Sequence, residues 1–251
     1  MEYHPESYWS EVAKRISNRE GVNVIAGDDE PFYRYKKKRF LKLLKSVDFK
    51  GKKVLELGSG PGGNLQEVWR ESPSKLVGVD ISDEMIKLSK KHLSNDIELV
   101  KIDGTVLPFK DNEFDLVFTA TVLQHNTDEE MLKKIIAEIC RVSKTEVYLF
   151  ERIENRIKGD KLCLGRPVKY YETICNKHGF LLLRRKFINI RISYYVSGFI
   201  RKVFSSKTRK EGEPLTRLAI FLQKITLPIT IQLDKIFASD KDVARLEFLK
   251  K

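Results

Sequence analysis

In the run VLELGSGPGGNL, residues 54–65, a carboxylate, Glu56, stands two positions before Gly58, and Gly58, Gly60 and Gly62 alternate with Ser59 and Pro61. Glycines spaced this way, after an apolar strand and before a polar helix start, let the chain turn tightly and bring its backbone against a ligand. Gly58, Gly60 and Gly63 fit the dinucleotide fingerprint equally, so the glycines alone do not choose between a pyrophosphate and a ligand of opposite charge. Glu56 tilts the choice. Beside a pyrophosphate its charge is repelled, and beside a ligand carrying an ammonium and a sulfonium it is favourable. Asp80, at the end of VGVD, can accept both hydroxyl protons of a ribose in either reading. Asp103, in IDGTVLPF, is placed either to meet the exocyclic amine of an adenine or to cap the turn that follows it.

These residues need strand ends to hold them together, and the chain supplies strands in regular alternation with helices. YWSEVAKRI and RYKKKRFLKLLKSV read as two helices. Strand KKVLELG, helix GNLQEVWRE, strand KLVGVD and helix SDEMIKLSKKHL, capped by Ser82, come next. Strand IELVKI, the loop DGTVLPFKDNE and strand FDLVFTA lead to a helix for which Thr127 and Glu130 form a capping box, with Met131, Ile135 and Ile139 on one face. Strand TEVYLFE, helix RPVKYYETICNKH stopped by Gly179, and strand FLLLRRKF complete the series. The expectation is an α/β, Rossmann-like three-layer α/β/α sandwich with a mostly parallel sheet, its ligands at the carboxyl ends of the strands. Residues 1–190 form that domain, with amino-terminal helices over 1–50 and the core over 51–190. Residues 191–251 read as a helical extension packed on it, because SYYVSGFIRKVF and LTRLAIFLQKITLPITIQLDKIF look more helical than extended.

Taken together, Glu56-x-Gly58-x-Gly60-x-Gly62, Asp80, Asp103-Gly104 and FDLVFTATVLQH resemble the class I S-adenosylmethionine-dependent methyltransferases, in particular the type 11-like, small-molecule branch. The resemblance covers about Lys52 to Phe187. It implies S-adenosyl-L-methionine as cofactor, Glu56 and the glycines as methionine-end and loop contacts, Asp80 as ribose ligand and Ile81 as adenine packing. It further implies Asp103 and Gly104 as adenine contacts, and Thr119 facing the methyl group, although Thr119 could equally fill the sheet edge.

Methyl transfer from a sulfonium is an in-line displacement, so positioning supplies much of the acceleration, and a base is needed only where the acceptor must lose a proton. His125, just after the fourth strand, is the titratable group best placed for that work, or else holds a structural hydrogen bond. Acceptor-side candidates are Tyr33, Arg34 and Tyr35 before the core, and Glu151, Arg166, Tyr170 and Tyr171 around the polar stretch ERIENRIKGDKLCLGRPVKYYE. For Arg34 a surface ion pair, and for the stretch a plain connection, are the competing readings. The expected acceptor is an oxygen or nitrogen of a small-molecule or glycan- or lipid-linked compound. The alternatives are an RNA or other nucleic-acid methyltransferase and a noncatalytic cofactor-binding subunit.

The net charge of +12 is concentrated in two stretches. Residues 34–53 carry ten Lys/Arg against Asp48, and residues 184–217 carry ten against Glu211 and Glu213. Such surfaces attract nucleic acid, anionic lipid or phosphorylated substrates, or are solvated helix faces. Nucleic acid is the weakest of these, because no Asn-Pro-Pro-Tyr-like element is present to hold a flipped base. The amino terminus lacks a secretory layout, and no window approaches the ~18 apolar residues of a membrane span, so the expectation is a cytoplasmic chain. Cys140, Cys163 and Cys175 have neither disulfide nor metal-ligand spacing, and no metal is expected. In residues 193–210 aromatic and apolar side chains interleave with Arg201, Lys202, Lys207, Arg209 and Lys210, a pattern suited to a lid, a homodimer contact or a peripheral site on an anionic membrane.

Overall fold

Residues 4–17, 30–205, 214–238 and 242–251 are described by the computed structural model. In chain order they form α1 (Pro5–Ser17), α2 (Pro31–Leu44), β1 (Lys53–Leu57), α3 (Gly63–Trp69), β2 (Lys75–Asp80), α4 (Asp83–Lys90), β3 (Glu98–Lys101) and β4 (Phe114–Ala120). There follow α5 (Glu129–Val142), β5 (Ser143–Ile153), the short hairpin β6 (Lys158–Gly159) and β7 (Leu164–Gly165), α6 (Val168–Lys177) and β8 (Phe180–Phe187). α7 (Arg191–Phe204), α8 (Arg217–Ile236) and β9 (Asp242–Lys250) end the chain.

The strands make a seven-stranded sheet in the order β3-β2-β1-β4-β5-β9-β8. β1 to β5 run parallel, and β9 lies antiparallel between β5 and β8. Both faces are covered, so the inner strands are near-continuous apolar runs whose alternate residues belong to different cores. Leu55, Val77, Val117 and Leu149 meet α5 and α6 on one face. Val54, Leu76, Leu116 and Phe150 meet α2 and α3 on the other. Burying such a side chain stabilises by roughly 1.5–3 kcal/mol, which is why this pattern fixes the layers.

Two local expectations change. The cap of α5 is Asp128, not Thr127: its carboxylate accepts from the Glu130 and Met131 amides, both at 2.9 Å, while the Thr127 hydroxyl reaches Lys161 O at 3.4 Å. A carboxylate is the stronger acceptor at a helix start, where the dipole is positive. The extension is helical over 191–204 and 217–236, but residues 242–250 form a strand inserted into the sheet, where a helix was expected. Its backbone pairs on both sides, and Val243, Ala244, Leu246 and Phe248 fill the two cores.

α1 closes the carboxyl end of the sheet. Its Val12, Ala13 and Ile16 pack on Met85 and Leu88 of α4, and the Ser10 hydroxyl lies 2.9 Å from that of Ser82. Ser82 itself caps α4 by accepting from the Met85 amide at 3.2 Å, as expected. Among the described residues, no helix is long and apolar enough to cross a membrane. All three cysteines are free thiols, with Cys140 and Cys175 buried.

Candidate active site

A cavity of about 1090 Å³ opens at the carboxyl ends of β1, β2 and β4, roofed by α1 and bordered by α2, α5 and the start of α7. The glycine loop forms its floor. Gly58, Gly60 and Gly62 all have positive φ, a conformation costly for other residues. A Cβ on Gly58 would come within 2.3 Å of Val122, so the loop can lie this close to the chain after β4 only with glycine here. A Cβ on Gly60 would meet nothing within 4 Å.

Two carboxylates organise this floor. Asp80 accepts from Gly60 N at 2.8 Å and from Ser82 N at 2.9 Å, tying the loop to the start of α4. Burial raises its pKa, and these backbone hydrogen bonds oppose the rise. Glu56 is fully buried and lies just behind the lining, next to Leu57 and Asn64, which do line it; it accepts from the Asn64 side-chain amide at 2.8 Å through Oε1, but Oε2 has no hydrogen-bond partner. Burial pushes its carboxyl up to about 8, the Asn64 bond pulling the other way. Ile81 and Gly104 line the cavity. Asp103 does not: it is exposed and outside the lining, because the chain turns outward after Ile102.

Several acceptor-side expectations find a different place. Thr119 and Glu151 sit on one face of the sheet, away from the cavity lining, and bond to each other at 2.8 Å. Glu151 belongs to β5 itself. It accepts from the amides of Val122 and Leu123 at 3.0 and 3.1 Å and of Gln124 at 3.1 Å, fixing the loop after β4 from beneath. Arg166 is likewise fully buried, donating to Leu123 O, Asn126 O and the Glu129 carboxylate, the last at 2.8 Å. The Tyr170 hydroxyl donates to Glu129, and Tyr171 is buried in the core against α5. These residues hold the loop that carries His125, and none of them lines the cavity.

Of the three residues in α2, Tyr33 lines the cavity, Arg34 is exposed and outside the lining, and Tyr35 donates to Asp234 of α8 at 3.3 Å. His125 does line it. Its Nδ1 lies 2.8 Å from Leu162 O, which can only accept, so Nδ1 carries the proton and Nε2 faces the Gln124 side-chain nitrogen at 3.1 Å as acceptor. Trp9 meets the imidazole edge-on at 4.9 Å between ring centres. Trp9 and Tyr8 of α1, Met131 and Ile135 of α5, and Arg191 and Tyr194 of α7 also line the cavity without having been expected there from sequence. The signal was there for α5, whose predicted apolar face of Met131, Ile135 and Ile139 splits here: the first two turn to the cavity and the third to the core.

This arrangement, with a glycine loop after β1, an acid at the end of β2 and an antiparallel strand between β5 and β8, resembles that of the class I S-adenosylmethionine-dependent methyltransferases. Residues 54–146 match the family model described as a methyltransferase domain. A sterol 24-C-methyltransferase of Gibberella zeae is 33% identical over 121 residues, covering 46% of this chain and 31% of that protein. A putative sarcosine dimethylglycine methyltransferase from Galdieria sulphuraria superposes with a TM-score of 0.62 at 18% identity, over 98% of both chains. The [4+2]-cyclase SpnF gives 0.63 at 18% identity, over 96% of this chain and 91% of its own. The chain spans between a quarter and two fifths of the length of the first curated relatives it matches, at 31%, 25% and 40%.

Proposed function

We propose that the chain binds S-adenosylmethionine through Glu56, the Gly58–Gly62 loop, Asp80, Ile81 and Gly104, and transfers its methyl group to an oxygen or nitrogen of a small-molecule or lipid-linked acceptor. The observation that carries the reading is the orphaned Glu56 Oε2: a buried carboxylate with a bare oxygen is costly unless a cation completes it. A cofactor with an ammonium group is such a cation, whereas a dinucleotide pyrophosphate would add a second negative charge. The open space above Gly60 and Gly104 is where a Cβ would intrude on a bound ligand. When bound, the sulfonium supplies an electrophilic methyl carbon.

The protein's part is to orient the acceptor and exclude water. At about 1090 Å³ the cavity exceeds the usual ~300–1,000 Å³ of a single-ligand pocket, consistent with cofactor and acceptor together. Trp9, Tyr33, Met131 and Ile135 give the acceptor side an apolar and aromatic wall. Asp103 and Thr119 have no part in this reading: Asp103 is exposed outside the cavity, and the Thr119 hydroxyl is engaged by Glu151.

Addition of S-adenosylmethionine or S-adenosylhomocysteine is expected to raise the melting temperature, and NADH to leave it unchanged. At 100 times the dissociation constant a ligand adds about 2.7 kcal/mol to the folded state. Asp80→Ala should lose most of this shift. Calorimetry showing NADH binding without S-adenosylmethionine binding would overturn the proposal. Radiolabelled methyl transfer to any acceptor separates an enzyme from a noncatalytic binding subunit.

For His125 we expect a positioning role. Its protonated Nδ1 holds the Leu162 backbone and its Nε2 accepts from Gln124, so taking up a proton there would require breaking that contact. His125→Asn should therefore raise KM for the acceptor while lowering turnover at saturation by less than ~10-fold. A fall of ~10² or more, with cofactor affinity intact, would make it a general base instead.

A further inference from the structure

α7 and α8 meet each other through Val196, Ile200, Ala219, Ile220 and Leu222, yet bury polar side chains against the domain and turn further large apolar ones outward. α8 buries Ala219, Gln223, Thr230 and Asp234, while Leu218, Phe221, Ile225, Ile229 and Ile236 are exposed, Phe221 by 57% and Ile229 by 64%. α7 repeats the pattern: Ser193 and Ser197 are inside with Ile200, while Tyr195, Phe199 and Val203, one helical turn apart, face out, Phe199 by 63%. A helix packed on a protein in water does the reverse. The inward polar groups are satisfied. Asp234 accepts from the amides of Ile192 and Ser193 and from the hydroxyls of Ser193 and Tyr35. Gln223 accepts from Phe32 N and donates to Glu30. These bonds fix which side faces the domain, and they leave the apolar side bare.

We propose that the outward face of α7 and α8 lies on an anionic membrane surface, and that the acceptor is drawn from that membrane. The second half rests on the methyl-transfer reading above; the first does not. Charge selects the occupant. Arg191, Lys202, Arg217, Lys224 and Lys235 are all exposed, whereas Asp234, the one acidic residue among the described residues of the two helices, is buried. Arg217, Lys224 and Lys235 are seven and eleven residues apart, close to two and three turns, so they form a line beside the apolar row. Apolar side chains with flanking lysines and arginines suit the headgroup boundary of a bilayer with anionic lipid. A second copy docked face to face would set these cations against each other. Neither helix can cross a membrane, so the contact is peripheral.

The same helix connects this face to the cavity. Arg191, Tyr194 and Tyr195 line the cavity, and Tyr195 begins the exposed row that runs through Phe199 to Val203. An apolar acceptor leaving the bilayer would meet that row first and the cavity next. The predicted basic contribution of Lys207, Arg209 and Lys210 lies outside the described residues.

Sedimentation with vesicles of phosphatidylcholine and phosphatidylglycerol tests the first half. The protein should bind at low salt, detach at high salt, and ignore vesicles of phosphatidylcholine alone. Lys224→Gln should weaken partitioning about fivefold, the effect of one basic residue at the surface. Ile225→Glu with Ile229→Glu should abolish it without changing the melting temperature or S-adenosylmethionine binding in solution, because both side chains are already exposed. No binding to anionic vesicles at low salt, binding unaffected by the double substitution, or a dimer in sedimentation equilibrium that the double substitution splits would each overturn the membrane contact. For the second half, radiolabelled S-adenosylmethionine is offered with a total lipid extract held in anionic vesicles. Label should enter the lipid with the parent protein and not with the double variant. No label with the parent, or equal label with both, would overturn a membrane-borne acceptor, while loss of S-adenosylmethionine binding in solution would instead strike the methyl-transfer reading.

Discussion

Glu151→Ala is expected to lower the unfolding free energy by about 3–5 kcal/mol, at the upper end of single-substitution effects, because it breaks a buried hydrogen-bond network. The carboxylate is fully buried and accepts four hydrogen bonds, from Thr119 Oγ1 and from the backbone amides of Val122, Leu123 and Gln124. Alanine leaves all four donors without this acceptor, and each orphaned donor costs roughly 1–3 kcal/mol before relaxation and any entry of water. Glu151→Gln keeps the volume and should cost less, since Oε1 takes three of the bonds and only the donor at Oε2, Gln124 N, would face an NH₂. Urea denaturation of the three proteins measures this ranking. An alanine variant within ~0.5 kcal/mol of the parent, the usual range for a neutral surface substitution, would show that the loop is held by other means. Because that loop carries Val122 and His125 into the cavity, the alanine variant should also lose S-adenosylmethionine affinity.

Glu56 should give the ligand-free protein a stability that falls as the pH rises. Its carboxyl is pushed up to about 8 by burial, against about 4.3 in the unfolded chain. The folded state therefore holds the proton more tightly. The contribution is fully present below about pH 4.3, shrinks as pH climbs, and is lost above about pH 8. At ~1.4 kcal/mol per pKa unit the span is on the order of 5 kcal/mol, an upper bound if water reaches the site. Other buried acids also titrate, so the measurement is the difference between parent and Glu56→Gln in urea denaturation across this range: the difference should change with pH, and a constant difference refutes it. A cation placed against Glu56 reverses the shift, so S-adenosylmethionine binding near neutral pH should release close to one proton per site. Calorimetry in buffers of unlike ionisation enthalpy reads that proton directly, and Glu56→Gln should abolish it.

The glycine loop, Asp80 and the Ser82 cap were readable because each pairs a residue type with a local backbone need: positive φ at Gly58, Gly60 and Gly62, and a side-chain acceptor at a helix start. Thr119, Glu151 and Arg166 were not, because a single polar residue in an apolar strand or loop does not announce which face it takes. Strand pairing sets Thr119 opposite Leu149, two residues before Glu151, so their shared face follows from parity only once the register is known. β9 was missed for a different reason. DVARLEFLK is rich in helix-forming Ala, Arg, Leu, Glu and Lys, and its strand conformation is imposed by two neighbours that pair with it along both edges. Even Arg245, whose type suggests an exposed position, is largely buried there, bonded to Ser46 and Glu247. α8 shows a further limit: its helical character was legible, but not that its buried positions would include Gln223, Thr230 and Asp234.

The place of β9 also sets an order of events during synthesis. Residues 242–250 fill the gap between β5 and β8, and β8 touches the sheet through β9 alone. A nascent chain that has emerged only as far as α8 has β1 to β5 available to pair with one another, a bare edge on β5, and β8 with nothing to pair. Contacts this distant in sequence form late and slowly, and the waiting edge is the kind of surface on which unfinished chains aggregate. Refolding should therefore show a slow phase reported by Tyr148, whose ring meets Arg245 of the arriving strand, after the β1–β5 region has gained its secondary structure.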